Sequence, residues 1–535
     1  IENTATSSGG GVTNQSSSPT ITNTTFSDNT ANYGGGGMYN ISSSPSITNS
    51  IFWGNLKGSS SSTNGSDIEN SSSTPAITYT TLQVSYTGTG NSTADPLFVD
   101  ASNPAGADGI HRTADDGLRL YSNSPAANTG NNNSIPSGIT TDIIGSARTQ
   151  STTVNRGAYE DLENVVRFVD LSATGTNTGA SWTNAYTSLQ SAIALSNSGD
   201  AIWVAAGTYY PSAYPAGASG SSARDYSFYL AGGVHLYGGF AGTETTLAAR
   251  DYATNVTILS GDIGTVDDSA DNCYHVMMSV NESTAGTLDG FTVTRGNANG
   301  STGGITVNTK TIYIVYGGGM NNNQSSPSIT NCTFSNNTAN YDGGGMYNNA
   351  SSPTITNCTF SENTATKDGG GMMNSQSSPS ITKSTFSDNT ARYGGGMRND
   401  YSSPTITNST FSDNTTAYYG GGMDNEDSSP TITNTTFSNN TAGTYGGGMM
   451  NDNSSPTITN TTFSNNTATH YYGGGGMMND YSSFPTISNS IFWGNIRRSS
   501  STATSSGISS TSSSTPTITY TTLQVSYTGT GNSTA

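Results

Sequence analysis

Residues able to do chemistry are sparse in this chain of 535 residues. The densest acidic run is DASNPAGADGIHRTADDG at 100–117. Asp100, Asp108, Asp115 and Asp116, with glycines between them, have the ligand type to wrap a Ca²⁺ ion through carboxylates and backbone carbonyls. The same stretch also suits a plain polar segment of Asp-Gly turns. Calcium is therefore the one cofactor the sequence offers, and nothing in it requires a cofactor. The four histidines, His111, His235, His275 and His470, are scattered. Three cysteines (Cys273, Cys332, Cys358) are too few for a disulfide scaffold. Charged residues make up 10% and the net charge is −19. A nucleic-acid-binding array would need a Lys/Arg stripe, so nucleic acid is disfavoured as a partner. No 18-residue apolar run is present, so no helical membrane span is expected in this segment.

The elements that must position these residues are set by a repeat. From Gly317 to Asn495 a Met follows each glycine run, at 320, 346, 372, 397, 423, 449 and 477. The Phe of each F-x-x-N tetrapeptide falls at 334, 360, 386, 411, 437, 463 and 492. Both series step by 26 or 25 until a last step of 28 or 29. A fixed period of this length marks a solenoid. Only 31% of the chain is hydrophobic, which alone reads as disorder. The repeat overrules that reading, because stacked copies bury a continuous core that one copy cannot form.

In SSPTITNCTF (351–360), Ile355 and Phe360 are five apart, an odd number. On one straight strand they would face opposite sides. If both are core, the chain bends between them, and Asn357 is best able to take the αL conformation there. The same slot holds Asn23, Asn49, Asn331, Asn408, Asn434, Asn460 and Asn489, which predicts an asparagine ladder interrupted by Lys383. A second ladder is expected from Asn337, Asn363, Asn389, Asn414, Asn440, Asn466 and Asn495. Small residues two before Phe (Cys332, Cys358, Ser384, Ser409, Thr435, Thr461) should point inward. Prolines such as Pro353 start the T-I-T strand, where a missing N–H is tolerated. Each GGG supplies a positive-φ turn, and each Met points in. The expected coil has about three short strands and three turns.

This arrangement gives the remaining candidates their places. Cys332 and Cys358 stand one coil apart, either as buried thiols or within disulfide range, and neither has a catalytic partner. Tyr33, Tyr341, Tyr393, Tyr419, Tyr445 and Tyr472 precede most glycine runs. They form either an exposed stripe for glycan stacking or lateral packing, or a partly buried corner ladder. Sequons are an automatic product of an Asn/Thr-rich repeat. Asn331 and Asn357 sit in the ladder and are poor glycan acceptors, whereas Asn336 and Asn439, in the turn, are better ones.

Along the chain, SIFWGN at 50–55 recurs at 490–495, and TLQVSYTGTGNSTA at 81–94 recurs at 522–535. The offsets of 440 and 441 imply tandem modules of about 441 residues, of which one and a fraction are present. Residues 1–163 read as the C-terminal part of one module, with 95–163 as its closing segment. Residues 164–535 read as the next: an N-terminal cap at 164–211, irregular coils at 212–316, regular coils at 317–495 and final coils at 496–535. In the cap, Tyr186, Leu189, Ile193 and Ser196 share a helix face that ends near Gly199. This short helix is expected before the first strand, over the open end of the solenoid. The fold class is all-β: a right-handed parallel β-helix of about 26 residues per coil with a short capping helix.

GGGM paired with Phe334-Ser335-Asn336-Asn337 resembles the repeat of chlamydial-type polymorphic outer-membrane proteins, which are surface adhesins. Gly-Met stands here where that family has Ala followed by an apolar residue. DPLFVD (95–100), LRLYSNSPAANTG (118–130) and RGAYE (156–160) resemble the closing segment of secreted bacterial β-helix proteins of the choice-of-anchor kind. These resemblances imply the fold and secretion to the cell surface. The expected role is that of a non-enzymatic structural protein: a stiff surface fibre, stalk or matrix filament of self-associating, head-to-tail modules. One rival is a surface adhesin whose partner is a glycan. The other is a polysaccharide lyase or glycosidase with its site at 212–316; such chemistry needs clustered Asp and a positioned Arg or Lys base, and no such motif occurs in the regular coils.

Overall fold

The computed structural model describes every residue except 59–66, 123, 150–152, 219, 221, 302, 500–501, 506, 512, 525–531 and 535. The second copy of TLQVSYTGTGNSTA therefore lies partly outside the described residues. The chain forms two compact units, 1–165 and 166–535.

Each regular coil of the second unit has four short strands. In one coil they are Met346–Asn349, Thr354–Thr356, Thr359–Ser361 and Thr364–Ala365. Each pairs in parallel with its equivalent one coil later, with like residues in register: Met346 with Met372, Ile355 with Ile381, Phe360 with Phe386. The result is a parallel β-helix with four walls, here called the Met, Ile, Phe and Ala sheets after the residue each turns inward. Among the described residues they contain 10, 12, 12 and 9 strands, so they enclose one long core. The expected count of three walls misses the Ala sheet, whose two-residue Thr-Ala strand carries only a methyl group into the core.

Four single residues per coil turn the chain, each in the αL region. In the same coil they are Ala350 (φ 48°), Asn357 (53°), Glu362 (55°) and Gly369 (64°). The predicted bend between Ile355 and Phe360 is thus at Asn357, and Lys383 also adopts αL (52°) in its coil. Behind the first three corners the backbone N–H points along the axis and needs an acceptor. A side chain one coil away supplies it: Ser351 N–H donates to Ser377 Oγ (2.8 Å), Cys358 N–H to Ser384 Oγ (3.2 Å) and Asn363 N–H to Asn389 Oδ1 (3.0 Å). At the fourth corner only the first glycine has positive φ in the runs that begin at Gly317, Gly343, Gly369, Gly394, Gly420 and Gly446, and no glycine of the run 473–476 does. The second glycine is needed for close approach, since a Cβ on Gly344 would lie 2.5 Å from the Thr364 carbonyl oxygen.

The core repeats with the coil. Phe334 to Phe492 stack with ring centroids 4.5–4.9 Å apart and planes within 7° of parallel. Isolated aromatic pairs prefer offset or edge-on geometries, so strand spacing of about 4.8 Å sets this stack. The F-x-x-N asparagines form the predicted second ladder, fully buried. A third ladder runs through Asn322, Asn348, Asn374, Asn399, Asn425, Asn451 and Asn479, two residues after each Met, with amide-to-amide bonds of 2.8–2.9 Å.

At the head of this unit the strand Val166–Val169 precedes the helix, contrary to expectation. The helix, α1, covers only Leu189–Ala194 and buries Leu189, Ala192 and Ile193 in the core beside Val169 and Ile202. Tyr186 is not on it; it bridges to Val169 in extended conformation.

The first unit stacks three coils around Phe26, Met38, Ile47, Phe52, Ile68, Ile77 and Leu82. Its closing segment folds back over the outside of the corner between the Ile and Phe walls. There Leu120 and Ala126 pack on Ile51, with Trp53, Phe98 and Leu162 around them.

Candidate functional site

Two adjoining cavities open in the irregular coils, where the Phe sheet begins as Gly207–Tyr209, Thr257–Ser260 and Phe291–Thr294. After Ser260 the chain leaves the Phe wall and rejoins the coil on the Met sheet at Met277–Val280. Gly261 N–H to the Thr294 carbonyl (2.8 Å) and Asn297 N–H to the Cys273 carbonyl (2.9 Å) tie this excursion down. It faces Arg295, which holds the αL corner (φ 62°) that Asn336 holds one coil later.

One cavity, of about 480 Å³, is lined by Asp262, Asp267, Ser269, Asn272, Arg295 and Asn297 with three neighbours. The other, of about 760 Å³, shares Asp262 and adds Tyr210, Arg224, Tyr226, Val266 and Asp271. Arg295 Nη1 binds Asp262 (2.5 Å) and also Asp267. Its guanidinium is held above the ordinary arginine range, first by the bond to Asp267. Asp262 further accepts the Asp267 N–H (3.1 Å). Arg224 lies 4.1 Å over the Tyr274 ring and donates to the Asn272 carbonyl (2.7 Å) and to Asn299 (2.5 Å). Asn272 is 6% exposed; its Nδ2 donates to the Arg295 carbonyl (2.8 Å) and its Oδ1 has no partner.

This set offers fixed donors and acceptors beside tyrosine faces. Both carboxylates at Arg295 are ion-paired, whereas the third lining carboxylate, Asp271, accepts the Thr265 N–H at Oδ2 (2.7 Å) and has no partner at Oδ1. None of the described lining residues is a histidine. Buried His275, its Nδ1 2.9 Å from the Gly317 carbonyl oxygen, has its pKa pushed down by burial to about 4.

A second charged cluster sits within the regular coils and is invisible to motif reading. Arg398, 11% exposed, pairs with Asp424, Glu426 and, at 3.5 Å, Asp368. Burial pulls its pKa down, and the carboxylates outweigh that and raise it. Burial lifts Asp424 to about 6 against the lowering effect of Arg398. Asp342 is lifted to about 7, first by burial and then by Asp368, and its Oδ1 lacks a partner. The members stand on successive coils, and only the 25–26-residue register brings Arg398 to its carboxylates.

A carboxyl whose folded pKa lies above its unfolded value holds its proton more tightly in the fold. Its destabilisation therefore grows as pH rises from about 4 and is complete above about 7. Asp342→Asn should accordingly stabilise the chain at pH 8 by about 2 kcal/mol, after allowance for partial exposure, and change little at pH 4. Urea unfolding at both pH values checks this. An equal gain at both would assign the effect to packing and not to charge.

The sequence-predicted residues lie elsewhere. Asp100 accepts from the Ser102 backbone and hydroxyl, Asp108 from Ile110 N–H, and Asp115 from Asp108 N–H and Thr113. Asp116 is buried and accepts from Tyr159 Oη and Arg112 N–H, both 2.7 Å. Among the described residues no three carboxylate, imidazole or thiol groups converge as a metal site. Asn336 and Asn439 are exposed αL corner residues, at φ 55° and 56°. Asn331 and Asn357 are bonded to each other at 2.7 Å. Cys332 and Cys358 are buried free thiols. Tyr341, Tyr393, Tyr419 and Tyr445 are half-buried at the glycine corner, whereas Tyr33 and Tyr472 are exposed. Lys367 stands 3.7 Å over the Tyr341 ring.

No curated protein sequence matches the chain. Among solved structures, pectate lyase Pel9A matches at 15% identity and a TM-score of 0.36, over 66% of this chain and 79% of that one. A pectin methylesterase from Aspergillus niger matches at 11% and 0.24, over 70% and 87%. PfbA, a surface adhesin of Streptococcus pneumoniae, matches at 11% and 0.25, over 64% and 86%. The family model described as the right handed beta helix region matches residues 252–423 and 391–531, which together span more than half of the chain. With its parallel coils stacked in register, the chain belongs to the right-handed β-helix family.

Proposed function

We propose that this protein is a non-enzymatic structural element of the cell exterior, a stiff rod within a surface fibre, stalk or matrix filament built of head-to-tail modules. The observation that carries this reading is the pair of buried asparagine ladders running unbroken through all seven regular coils. They commit these two polar columns to axial hydrogen bonds, which tie each coil to the next and support a stiff stack. Electron microscopy of the native material tests it: filaments with a repeat of one module are expected. Isolated short rods would count against it, and turnover of polygalacturonate or a related polymer would overturn the non-enzyme assignment.

A glycan-binding role is the second reading, favoured by the cleft around Arg295 and Asn272. Fixed polar groups beside Tyr210 and Tyr226 match the hydroxyl-rich edges and apolar faces of sugars. On a glycan array, selective binding abolished by Arg295→Ala would support it, and no binding to any glycan would dismiss it.

A further inference from the structure

The two units carry the same short motif with opposite surroundings. SIFWGN places Ile51 and Trp53 on the outer face of the Phe wall in the first unit, and Ile491 and Trp493 at the same two positions in the second. In the preceding regular coils these outward positions are Thr and Ser, as in Thr333–Ser335 and Thr462–Ser464. An apolar pair at a column otherwise kept polar implies a cover.

In the first unit the cover is present. Ile51 is 1% exposed beneath Leu120 and Ala126. The corner residue Asn49 is fully buried and exchanges two hydrogen bonds with the Asn131 backbone, at 2.7 and 3.0 Å. Gly157 N–H donates to the Asn49 carbonyl (2.8 Å), and Ala158 N–H to Thr25 Oγ1 (3.1 Å). Arg156 reaches Thr81 Oγ1 at 3.2 Å. A Cβ on Gly157 would lie 2.7 Å from Thr25 Oγ1 and 2.9 Å from Ile51 Cδ1, so the cover fits closely.

The second unit presents the same partners uncovered. Ile491 is 43% and Trp493 44% exposed, and the corner residue Asn489 is exposed in the αL conformation (φ 48°). Thr462 and Thr522 stand where Thr25 and Thr81 stand, each one coil to either side of the motif strand.

We propose that the Ile491–Trp493 face is a docking site for a closing segment of the 95–163 type. Such a segment lays its Leu120 and Ala126 equivalents on Ile491, pairs its Asn131 and Gly157 backbone with Asn489, and reaches Thr522 with its Arg156 equivalent. The recognition is polar at the corner and apolar on the strand, so it selects this sequence over a generic hydrophobic peptide.

The test appends a second copy of residues 95–163 after Ala535 of the full chain, since Ala535 corresponds to Ala94. With 5-fluorotryptophan incorporated, Trp493→Phe assigns the Trp493 resonance by ¹⁹F NMR. In the parent chain that resonance should show a clear H₂O/D₂O solvent shift. In the extended chain the shift should fall at least two-fold, towards that of Trp53. Gly157→Val in the appended copy alone should restore it. An unchanged Trp493 shift in the extended chain overturns the proposal. So does a parent shift that falls with rising concentration as the mass doubles, since a second copy of the chain would then be the occupant.

Discussion

Asn389→Leu should destabilise its coil by about 3–6 kcal/mol, because one side chain of similar volume is removed from four buried hydrogen bonds. Asn389 Oδ1 accepts from both the N–H and Nδ2 of Asn363, at 3.0 Å each. Its Nδ2 donates to the Phe360 carbonyl (2.8 Å) and to Asn414 Oδ1 (3.0 Å). Leucine leaves two donors and a carbonyl buried without partners, at roughly 1–3 kcal/mol each. In a stack whose coils touch only their neighbours the damage stays local. Hydrogen exchange should therefore quicken first at Thr364, Thr390 and the amides beside them. Asn357→Gly is the contrast: Asn357 is an exposed corner residue at φ 53°, and glycine keeps that conformation, so a change of only about 0.5 kcal/mol is expected. Equal effects of the two substitutions would mean that the buried ladder is no more important than the exposed one.

Arg398→Leu should cost about 3–5 kcal/mol at pH 7, the usual penalty for stripping one partner from a buried ion pair. The loss strands Asp424, at 3% exposure, together with Asp368 and Glu426. Asp424 titrates near 6 even with Arg398 beside it. Without that charge its folded pKa rises further, so the penalty grows with pH and shrinks as the carboxylates take up protons. At pH 4.5 the variant should recover most of the loss. Urea midpoints at the two pH values, with Arg398→Leu/Asp424→Leu as the rescue, distinguish charge from packing. A pH-independent loss, or no rescue, would show that Arg398 acts through its aliphatic stem.

Much of the fold was legible because a solenoid writes its core into one period. The odd spacing from Ile355 to Phe360 located a real αL corner, and the F-x-x-N column gave a real buried ladder. The Ala wall escaped because Ala365 and its equivalents bury little area and resemble loop residues. The third ladder, Asn348 and its kin, escaped because residues on either side of it vary from coil to coil, hiding a constant column. The helix was over-read because Tyr186 and Ser196 match a helical spacing although only Leu189–Ala194 is helical. Candidate chemistry was least legible. Asp262, Arg295 and Asn272 come together only through an excursion with no repeat, and Arg398 meets its carboxylates only after the chain is wound.

The direction of the inter-coil hydrogen bonds has a consequence under load. They lie along the stacking axis, so tension between the chain ends opens them one rung at a time instead of shearing many together. Each released coil of 25–26 residues yields roughly 80 Å of slack. Pulling a single molecule should therefore give a shallow sawtooth with that tooth spacing. The stacked coils of the second unit are therefore expected to lengthen in small steps, one coil at a time, and not to fail in a single event.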